Sequence, residues 1–234
     1  LVYRDSKSAK LLRKNPGSVC GAQIFGNDPD TMAEGARLAL EISGCDFLDI
    51  NMGCPMPKVA NNGDGCGLMR TPELAGKIVE TVVKAVDVPV TVKCRLGWDK
   101  GSINVLDFTR RMEDSGAAMV AVHGRTRSML YSGTADWDAI RKVKEQTDML
   151  VKLDTNGTHP DVLRECIAAG IDYVAMDIKS SEERYHIVAG HADTRLDKVK
   201  ESISILLGGE VDYEFRTTAV KPLHTAEDFN GIGQ

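Results

Sequence analysis

The 234-residue chain lacks several features that mark particular classes of protein. No apolar run approaches the ~20 residues that a membrane-spanning helix needs, and the first residues show no charged-then-apolar signal pattern. The chain has only 8 prolines and no low-complexity tract, while 42% of its residues are hydrophobic. This composition is typical of a folded globular protein. We therefore expect a cytoplasmic protein with no membrane partner.

Closely spaced thiols are also absent. The six cysteines form no C-x-x-C pair and are scattered along the chain: Cys20, Cys45, Cys54, Cys66, Cys94 and Cys166. We expect reduced thiols and no metal site or metal cluster, because such sites usually combine closely spaced ligands. The net charge of -5 argues against nonspecific binding of nucleic acid by the whole surface and leaves room only for a local basic face.

Short β-rich runs alternate with helical patterns along the chain. We predict strands at residues 19–26, 46–51, 89–95, 119–124, 149–157, 172–179 and 211–220. Such alternation predicts parallel strands joined by crossover helices. The fold class is therefore predicted as α/β, a TIM-type parallel β/α barrel whose functional residues lie at the C-terminal ends of the strands. Since only seven strands are recognisable, the barrel is expected to be incomplete, with its first strand missing.

Three of the predicted helices carry clear boundary signals. Asp28 precedes Pro29, and Thr71 precedes Pro72, so each pair provides a capping side chain followed by proline at the first helical position. A third helical pattern, "HPDVLRECIAAG", ends in Gly170, which is typical of a helix C-terminus.

Polar side chains lie at or just after the ends of the first four predicted strands: Gln23, Asn51, Cys54, Lys93, Arg95, His123 and Arg125. Each alone has an ordinary structural interpretation, because a strand-end lysine reaches solvent, a histidine finds a partner and a free cysteine packs like a small apolar residue. Their combination on successive strand ends favours a common site at one edge of the barrel.

Several longer segments occur in order: "GAQIFG", "DINMGCPMPKV", "GDGCGLM", "PVTVKCRLGWD" and "VAVHGRTRSMLYSGTADWDAI". With these segments, residues 1–147 resemble the tRNA-dihydrouridine synthases. These flavoprotein barrels reduce uridine in tRNA to 5,6-dihydrouridine with FMN and NADPH. The resemblance implies an oxidoreductase that binds FMN, uses NADPH as reductant and has tRNA as its partner.

The resemblance also implies roles for individual residues. Cys54 would be the general acid that protonates C5 of uracil when hydride reaches C6. Flavin contacts would come from Gln23, Lys93 and His123, and the substrate side would be lined by Asn51, Lys58, Arg95 and Arg125. Lys58 can equally be interpreted as an exposed, solvated loop lysine. The glycines Gly63 and Gly65 can equally be interpreted as turn residues.

The rest of the chain, residues 148–234, departs from that family. Its segments "LVKLDTNGTHPDVLRECIAAGIDYVAMDIKSSEERY" and "VDYEFRTTAVKPLHTAEDF" resemble radical-SAM enzymes that activate anaerobic ribonucleotide reductase and glycyl-radical enzymes. This resemblance implies cofactor contacts for Asp154, Asn156 and Lys179, although structural polar residues at strand ends are the favoured interpretation of all three. The C-x-x-x-C-x-x-C cluster loop of those enzymes is absent from the sequence, so radical chemistry is not expected. We expect a chimeric or fragmentary barrel with parts at 1–147 and 148–234.

Three functions therefore remain open from the sequence: an FMN-dependent tRNA-dihydrouridine synthase, a non-catalytic barrel fragment and a SAM-binding remnant. The helical domain with which the synthases grip tRNA has no counterpart in the sequence. A basic stretch, formed by Arg4, Lys7, Lys10, Arg13 and Lys14, either contacts phosphate or is one solvated helix face. The sequence does not indicate an oligomeric state.

Overall fold

A computed structural model describes residues 12, 14, 17, 19–190 and 193–233 of the chain. Most of the predicted basic stretch, namely Arg4, Lys7, Lys10 and Arg13, lies outside the described residues. The chain divides into two compact units, Leu1–Val151 and Lys152–Gln234.

The first unit is built from four parallel strands paired in sequence order: β1 (Gly21–Ile24), β2 (Phe47–Met52), β3 (Val90–Arg95) and β4 (Met119–His123). Its α-helices are α1 (Pro29–Ser43), α2 (Pro57–Ala60), α3 (Pro72–Ala85), α4 (Val105–Asp114) and α5 (Trp137–Gln146). A 3₁₀ helix, Gly65–Arg70, lies between α2 and α3. Each strand is thus followed by at least one helix before the next parallel strand begins.

The second unit repeats the arrangement with β5 (Leu150–Thr155), which begins at the boundary of the units, β6 (Tyr173–Asp177) and β7 (Asp212–Arg216), again in parallel. Its α-helices are α6 (Pro160–Ala168), α7 (Tyr185–Ala189), α8 (Leu196–Leu207) and α9 (Ala226–Ile232), and a 3₁₀ helix spans Glu182–Arg184. All seven predicted strands form within the described residues, most of them shorter than predicted. The predicted α/β class of parallel, TIM-type β/α units is confirmed.

Two of the three predicted helix boundary signals have the expected capping geometry in the structure, and the third, at Thr71, does not. The Asp28 carboxylate accepts a hydrogen bond from the Thr31 backbone N–H at 2.8 Å, as expected of an N-cap. Gly170 follows α6 in a left-handed conformation, with φ +84°. Thr71 does precede α3, but its side chain makes no capping hydrogen bond. The sequence therefore predicted where α3 begins and not how its first turn is satisfied.

The sheet of the first unit has one apolar face and one polar face. Leu48, Ile50 and Met52 alternate along β2 and are fully buried, as are Val92 and Cys94 on β3. The residues between them point to the opposite face, because side chains alternate along a strand. This polar face carries Gln23, Asp49, Asn51, Thr91, Lys93, Arg95 and His123, since strand pairing aligns them in register.

Candidate active site

A chain of hydrogen bonds connects β1, β2 and β3 across the polar face. The Asn51 amide donates to Gln23 Oε1 at 2.9 Å, and the Gln23 amide donates to Asp49 Oδ2 at 2.6 Å. The Thr91 hydroxyl donates to the other oxygen of Asp49 at 2.7 Å. These contacts fix the orientation of both amides. Asp49 and Thr91 were not predicted as site residues, although Asp49 lies two positions before Asn51 and therefore on the same face.

The loop that follows β2 holds Cys54 in a defined position. Asn51 Oδ1 accepts hydrogen bonds from the backbone N–H groups of Gly53 at 3.1 Å and of Cys54 at 2.9 Å. This is an Asx turn, in which a side chain replaces a backbone acceptor. On the other side of the loop, the Cys66 N–H donates to the Cys54 carbonyl at 3.1 Å. Cys54 itself is half-buried, whereas Cys66 is buried.

Two glycines complete this loop in left-handed conformations, Gly63 with φ +90° and Gly65 with φ +53°. A side chain at Gly65 would also be blocked, because its Cβ would lie 2.9 Å from the Cβ of Cys54. Both glycines therefore have the conformation expected of turn residues. Gly65 in addition provides the space that the Cys54 side chain occupies.

Arg95, at the end of β3, connects the Cys54 loop to the loop after β4. The side chain is only 2% exposed. Its Nε donates to the Gly53 carbonyl at 2.9 Å, and its Nη1 donates to the carbonyls of Thr126 at 3.1 Å and Leu130 at 2.8 Å. Burial lowers the pKa of the Arg95 guanidinium. The hydrogen bonds described here go to the protein backbone, and the predicted substrate contact of Arg95 stays a prediction.

His123 and Arg125 lie side by side at the end of β4. Arg125 Nη1 is 3.3 Å from His123 Nε2, and Arg125 Nη2 donates to the Gly133 carbonyl at 2.8 Å. An exposed aromatic ring, Tyr131, has its centroid 6.2 Å from that of the His123 ring. The same ring lies 5.6 Å from Cζ of Arg95. Tyr131 was not predicted from the sequence, where it appears only as an isolated aromatic in a loop.

The two predicted lysines occupy different surroundings. Lys93 is half-buried on the polar face, in register with Asn51 on the neighbouring strand. Lys58 is exposed on α2, four residues after Cys54. The structure thus places Gln23, Asn51, Lys93, Arg95 and His123 on one face, with Cys54 and Arg125 in the loops that follow and Lys58 on α2. Their individual roles stay predictions.

The cysteines of this region differ in accessibility. Burial raises the pKa of the Cys66 thiol to about 11 and that of the Cys94 thiol to about 12. These two thiols stay protonated and shielded at neutral pH. Cys54, by contrast, is half-buried, in the loop that follows β2.

Two absences concern the part of the chain that the structure describes. Within it, no cluster of three or more histidine, cysteine or acidic side chains is arranged to hold a metal ion. Among the same residues, no helix has both the length and the apolar character needed to cross a membrane.

In the second unit, the residues predicted as cofactor contacts make local interactions. Arg216 Nη2 lies 3.1 Å from Asp154 Oδ1 and 3.3 Å from Asp177 Oδ1. Lys179 Nζ lies 2.8 Å from Asp177 Oδ2. Asn156 Oδ1 accepts a hydrogen bond from the backbone two residues further on. These contacts join the ends of β5, β6 and β7 through ion pairs.

Parallel β/α units with polar side chains at the strand ends define a TIM-type α/β protein with a candidate active site in its first unit. The chain belongs to the dihydrouridine synthase family, since the profile described as Dihydrouridine synthase (Dus) matches residues 1–178. The match continues past residue 147, where the quoted motifs end. The resemblance of the tail to radical-SAM activating enzymes finds no support in the comparisons.

Individual relatives agree with the family assignment. The chain is 52% identical over 133 residues to the "Probable tRNA-dihydrouridine synthase 1" of Synechocystis, covering 57% of this chain and 36% of that protein. It is 39% identical over 177 residues to the tRNA-dihydrouridine synthase B of Yersinia pestis, covering 75% of this chain and 54% of that protein. The chain therefore spans about a third to a half of the length of these curated relatives.

A solved structure with a similar fold is the dipeptide epimerase of Enterococcus faecalis V583. It superposes with a TM-score of 0.53 over 90% of this chain and 51% of that chain, at 15% sequence identity. At this identity the likeness concerns the fold alone.

Proposed function

We propose that the protein reduces uridine in tRNA to 5,6-dihydrouridine, with FMN as cofactor, NADPH as reductant and Cys54 as general acid. One observation carries the proposal: the half-buried Cys54 is held in a fixed loop, directly beside a polar face that presents an amide, an ammonium and an imidazole group. Membership of the dihydrouridine synthase family supports the reaction class.

The side chains of the polar face fit a flavin. Gln23, Lys93 and His123 come from three strands and point to the same side of the sheet. Amide, ammonium and imidazole groups complement the carbonyl oxygens and ring nitrogens of an isoalloxazine, and the positive charge of Lys93 stabilises negative charge on that ring system. When bound, FMN supplies the hydride that adds to C6 of the uracil ring.

Cys54 supplies the second hydrogen. Addition of hydride at C6 leaves carbanion character at C5, next to the C4 carbonyl, so a positioned acid must protonate C5. The Cys54 thiol donates this proton, and the resulting thiolate regains one from solvent. The overall reaction consumes uridine, NADPH and one proton and yields dihydrouridine and NADP⁺.

The remaining residues position the cysteine or contact the RNA. Asn51 fixes the Cys54 loop through its amide oxygen. Lys58, which is exposed on α2, and Arg125, which lies beside His123, are proposed contacts to the RNA. Arg95 remains a proposed substrate-side residue, and its hydrogen bond to Gly53 supports a positioning role as well. A tRNA substrate supports the further proposal that the protein is cytoplasmic.

The test is a comparison of Cys54→Ala with Cys20→Ala, since Cys20 is the other half-buried thiol of the first unit. We expect Cys54→Ala to lower dihydrouridine formation in unmodified tRNA by about 100-fold or more, measured by mass spectrometry of nucleosides. Anaerobic reduction of bound FMN by NADPH should stay unchanged, and Cys20→Ala should resemble the parent protein.

Two results would contradict the proposal. Equal loss of flavin reduction and dihydrouridine formation in Cys54→Ala would make the thiol a structural group. Purified protein that is colourless and takes up no added FMN would favour a non-catalytic barrel fragment.

A further inference from the structure

The loop after β3 carries a tryptophan in contact with two arginines. Cζ of Arg70 lies 4.8 Å from the centroid of the Trp98 ring, and Cζ of Arg127 lies 4.6 Å from it. Both distances are within the range of a cation–π interaction, about 6 Å. Arg70 is exposed, and Trp98 and Arg127 are half-buried. We call these three residues the Trp98 cluster.

An open cavity of about 580 Å³ adjoins the cluster. Arg70 and Trp98 contribute to its wall, together with Ile103, which is 50% exposed, and Asn104. The Asn104 amide nitrogen donates to the Met69 carbonyl at 2.8 Å, but its Oδ1 is buried and has no hydrogen-bond partner among the described residues. The cavity thus combines an aromatic ring, a positive charge and an apolar side chain, within the size range of small-ligand sites.

The Trp98 cluster adjoins the Cys54 loop through hydrogen bonds. The Gly97 carbonyl accepts from the Arg127 backbone N–H at 2.9 Å and lies 3.9 Å from Cys66 Sγ. The backbone N–H of Cys66 in turn donates a hydrogen bond to the Cys54 carbonyl. Arg127 Nη2 also donates to Asn61 Oδ1 at 3.2 Å, and Asn61 directly follows α2. Asn61 therefore contacts the cluster directly, and Cys66 contacts Gly97, the residue before Trp98.

We propose that the Trp98 cluster binds a nucleotide of the RNA strand adjacent to the uridine at Cys54; this inference rests on the proposed function. Every base has a flat face that stacks on an aromatic ring or a guanidinium, and arginine also pairs with phosphate. Such a contact tolerates many sequences, which suits an enzyme that needs to hold an unstacked strand.

The local charge supports an anionic partner despite the net charge of the chain, which is -5. Arg70 and Arg127 place two positive charges against Trp98, and the exposed Lys100 follows two residues later in the sequence. The neighbouring carboxylate, Asp99, is engaged within its own loop, where its Oδ1 accepts from Gly101 N and Ser102 Oγ, each at 2.9 Å.

The chain has only two tryptophans, so fluorescence can isolate the cluster. Trp137→Phe leaves Trp98 as the sole reporter, and Trp98→Phe leaves Trp137, at the start of α5, as the control. Each protein is titrated with an unmodified tRNA transcript, with a 12-nucleotide oligouridylate and, separately, with NADP⁺. We expect both RNAs to quench Trp98, because a base bound in the cluster contacts the Trp98 indole. The fluorescence of Trp137, which is not part of the cluster, should stay unchanged.

Arg70→Gln tests the charge, with Arg110→Gln on α4 as a matched exposed control. Arg70→Gln should weaken RNA binding about 10-fold and lower the slope of log Kd against log salt concentration by about 1. Arg110→Gln should change neither quantity. Melting temperatures of all four variants check that each is folded.

Four outcomes would overturn the proposal: no quenching of Trp98 by either RNA, equal quenching of both tryptophans, equal effects of the two arginine variants, or quenching of Trp98 by NADP⁺ that competes with RNA. The last would assign the cluster to the reductant. The titrations need neither flavin nor turnover. Dihydrouridine formation without Trp98 quenching removes only the subsite, whereas RNA quenching in a protein that forms no dihydrouridine removes only the proposed function.

Discussion

Asn51 Oδ1 accepts a hydrogen bond from the Cys54 backbone N–H at 2.9 Å. The same side chain donates to Gln23 Oε1 at 2.9 Å on the neighbouring strand. One amide group therefore links the loop that carries the proposed acid to the face that carries the proposed flavin contacts. The position of the Cys54 sulfur relative to that face depends on this link.

Asn51→Ala should loosen the Cys54 loop. Two backbone N–H groups lose their acceptor, so we expect the free energy of unfolding to fall by about 1–3 kcal/mol and dihydrouridine formation to fall at least ~10-fold. Chemical denaturation and the tRNA assay measure the two effects. Asn51→Asp keeps the acceptor for Gly53 and Cys54 but loses the donor to Gln23 Oε1, so it should recover only part of the stability. Equal losses in both variants would contradict the role assigned to the Asx turn.

Gly65→Ala should displace Cys54, and Gly44→Ala is its matched control. The two glycines have similar left-handed φ angles, +53° and +59°, but only Gly65 has a neighbour, because nothing lies within 4 Å of a Cβ at Gly44. Each substitution carries the backbone cost of roughly 1 kcal/mol, and Gly65→Ala should cost about 1–3 kcal/mol more through overpacking.

The readout for these glycine variants is the alkylation rate of Cys54 by iodoacetamide, measured by peptide mass spectrometry. We expect a changed rate in Gly65→Ala and the parent rate in Gly44→Ala. Identical stability losses and identical Cys54 rates in the two variants would show that the contact with Cys54 is not tight.

The strands and the residues of the polar face were accessible from the sequence because both follow local rules. Alternation along "FLDINM" separates the buried Leu48 and Ile50 from Asp49 and Asn51, and parallel pairing then brings Lys93 into register with Asn51. The strand pattern therefore predicts which side chains share a face without knowledge of any distance.

The contact partners of individual side chains could not be predicted from the sequence, because these partners lie in loops that are distant in the sequence. Arg95 and His123 look equally like ligand-binding residues in the sequence, yet Arg95 donates to carbonyls 31, 35 and 42 residues away and is buried. Trp98 likewise becomes recognisable as part of a candidate site only from its contacts with Arg70 and Arg127 in the folded structure. Spacing within a strand carries no information on such long-range contacts.

Arg95→Met should be among the most destabilising single substitutions at the site. It leaves three backbone carbonyls without their donor in a buried position, and we expect a loss of about 3 kcal/mol, equivalent to a fall in Tm of roughly 6–12 °C. Arg95→Lys should recover only part of the lost stability, since an ammonium group does not reproduce the forked geometry of the guanidinium donors. Arg111→Lys on α4, whose ion pair with Glu73 is exposed, should change Tm little.

The alkylation rate of Cys54 separates positioning from general stability. In Arg95→Lys at a temperature where the protein stays folded, the rate should differ from the parent rate, because Arg95 Nε holds the Gly53 carbonyl next to Cys54. A Cys54 rate that stays at the parent value while Tm falls would limit Arg95 to a structural role.

In the second unit, a buried carboxylate holds α9 in place. Asp228 is 2% exposed, and its oxygens accept hydrogen bonds from the Thr225 backbone N–H at 2.7 Å and from Arg184 Nη1 at 2.8 Å. The backbone hydrogen bond from Thr225 is the largest cause that lowers the pKa of Asp228 to about 2, and the charge of Arg184 lowers it further.

Protonation of the Asp228 carboxylate in acid should therefore destabilise the second unit. A depressed pKa stabilises the fold at every pH above the ordinary aspartate value of 3.8, and the contribution disappears as the pH falls from there through about 2. Asp228→Asn should lower Tm at pH 6 and narrow the Tm difference between pH 6 and pH 3. Asp161→Asn, at an exposed position on α6, is the control and should leave both values near those of the parent. An unchanged pH dependence of Tm in Asp228→Asn would show that other carboxylates govern the acid response.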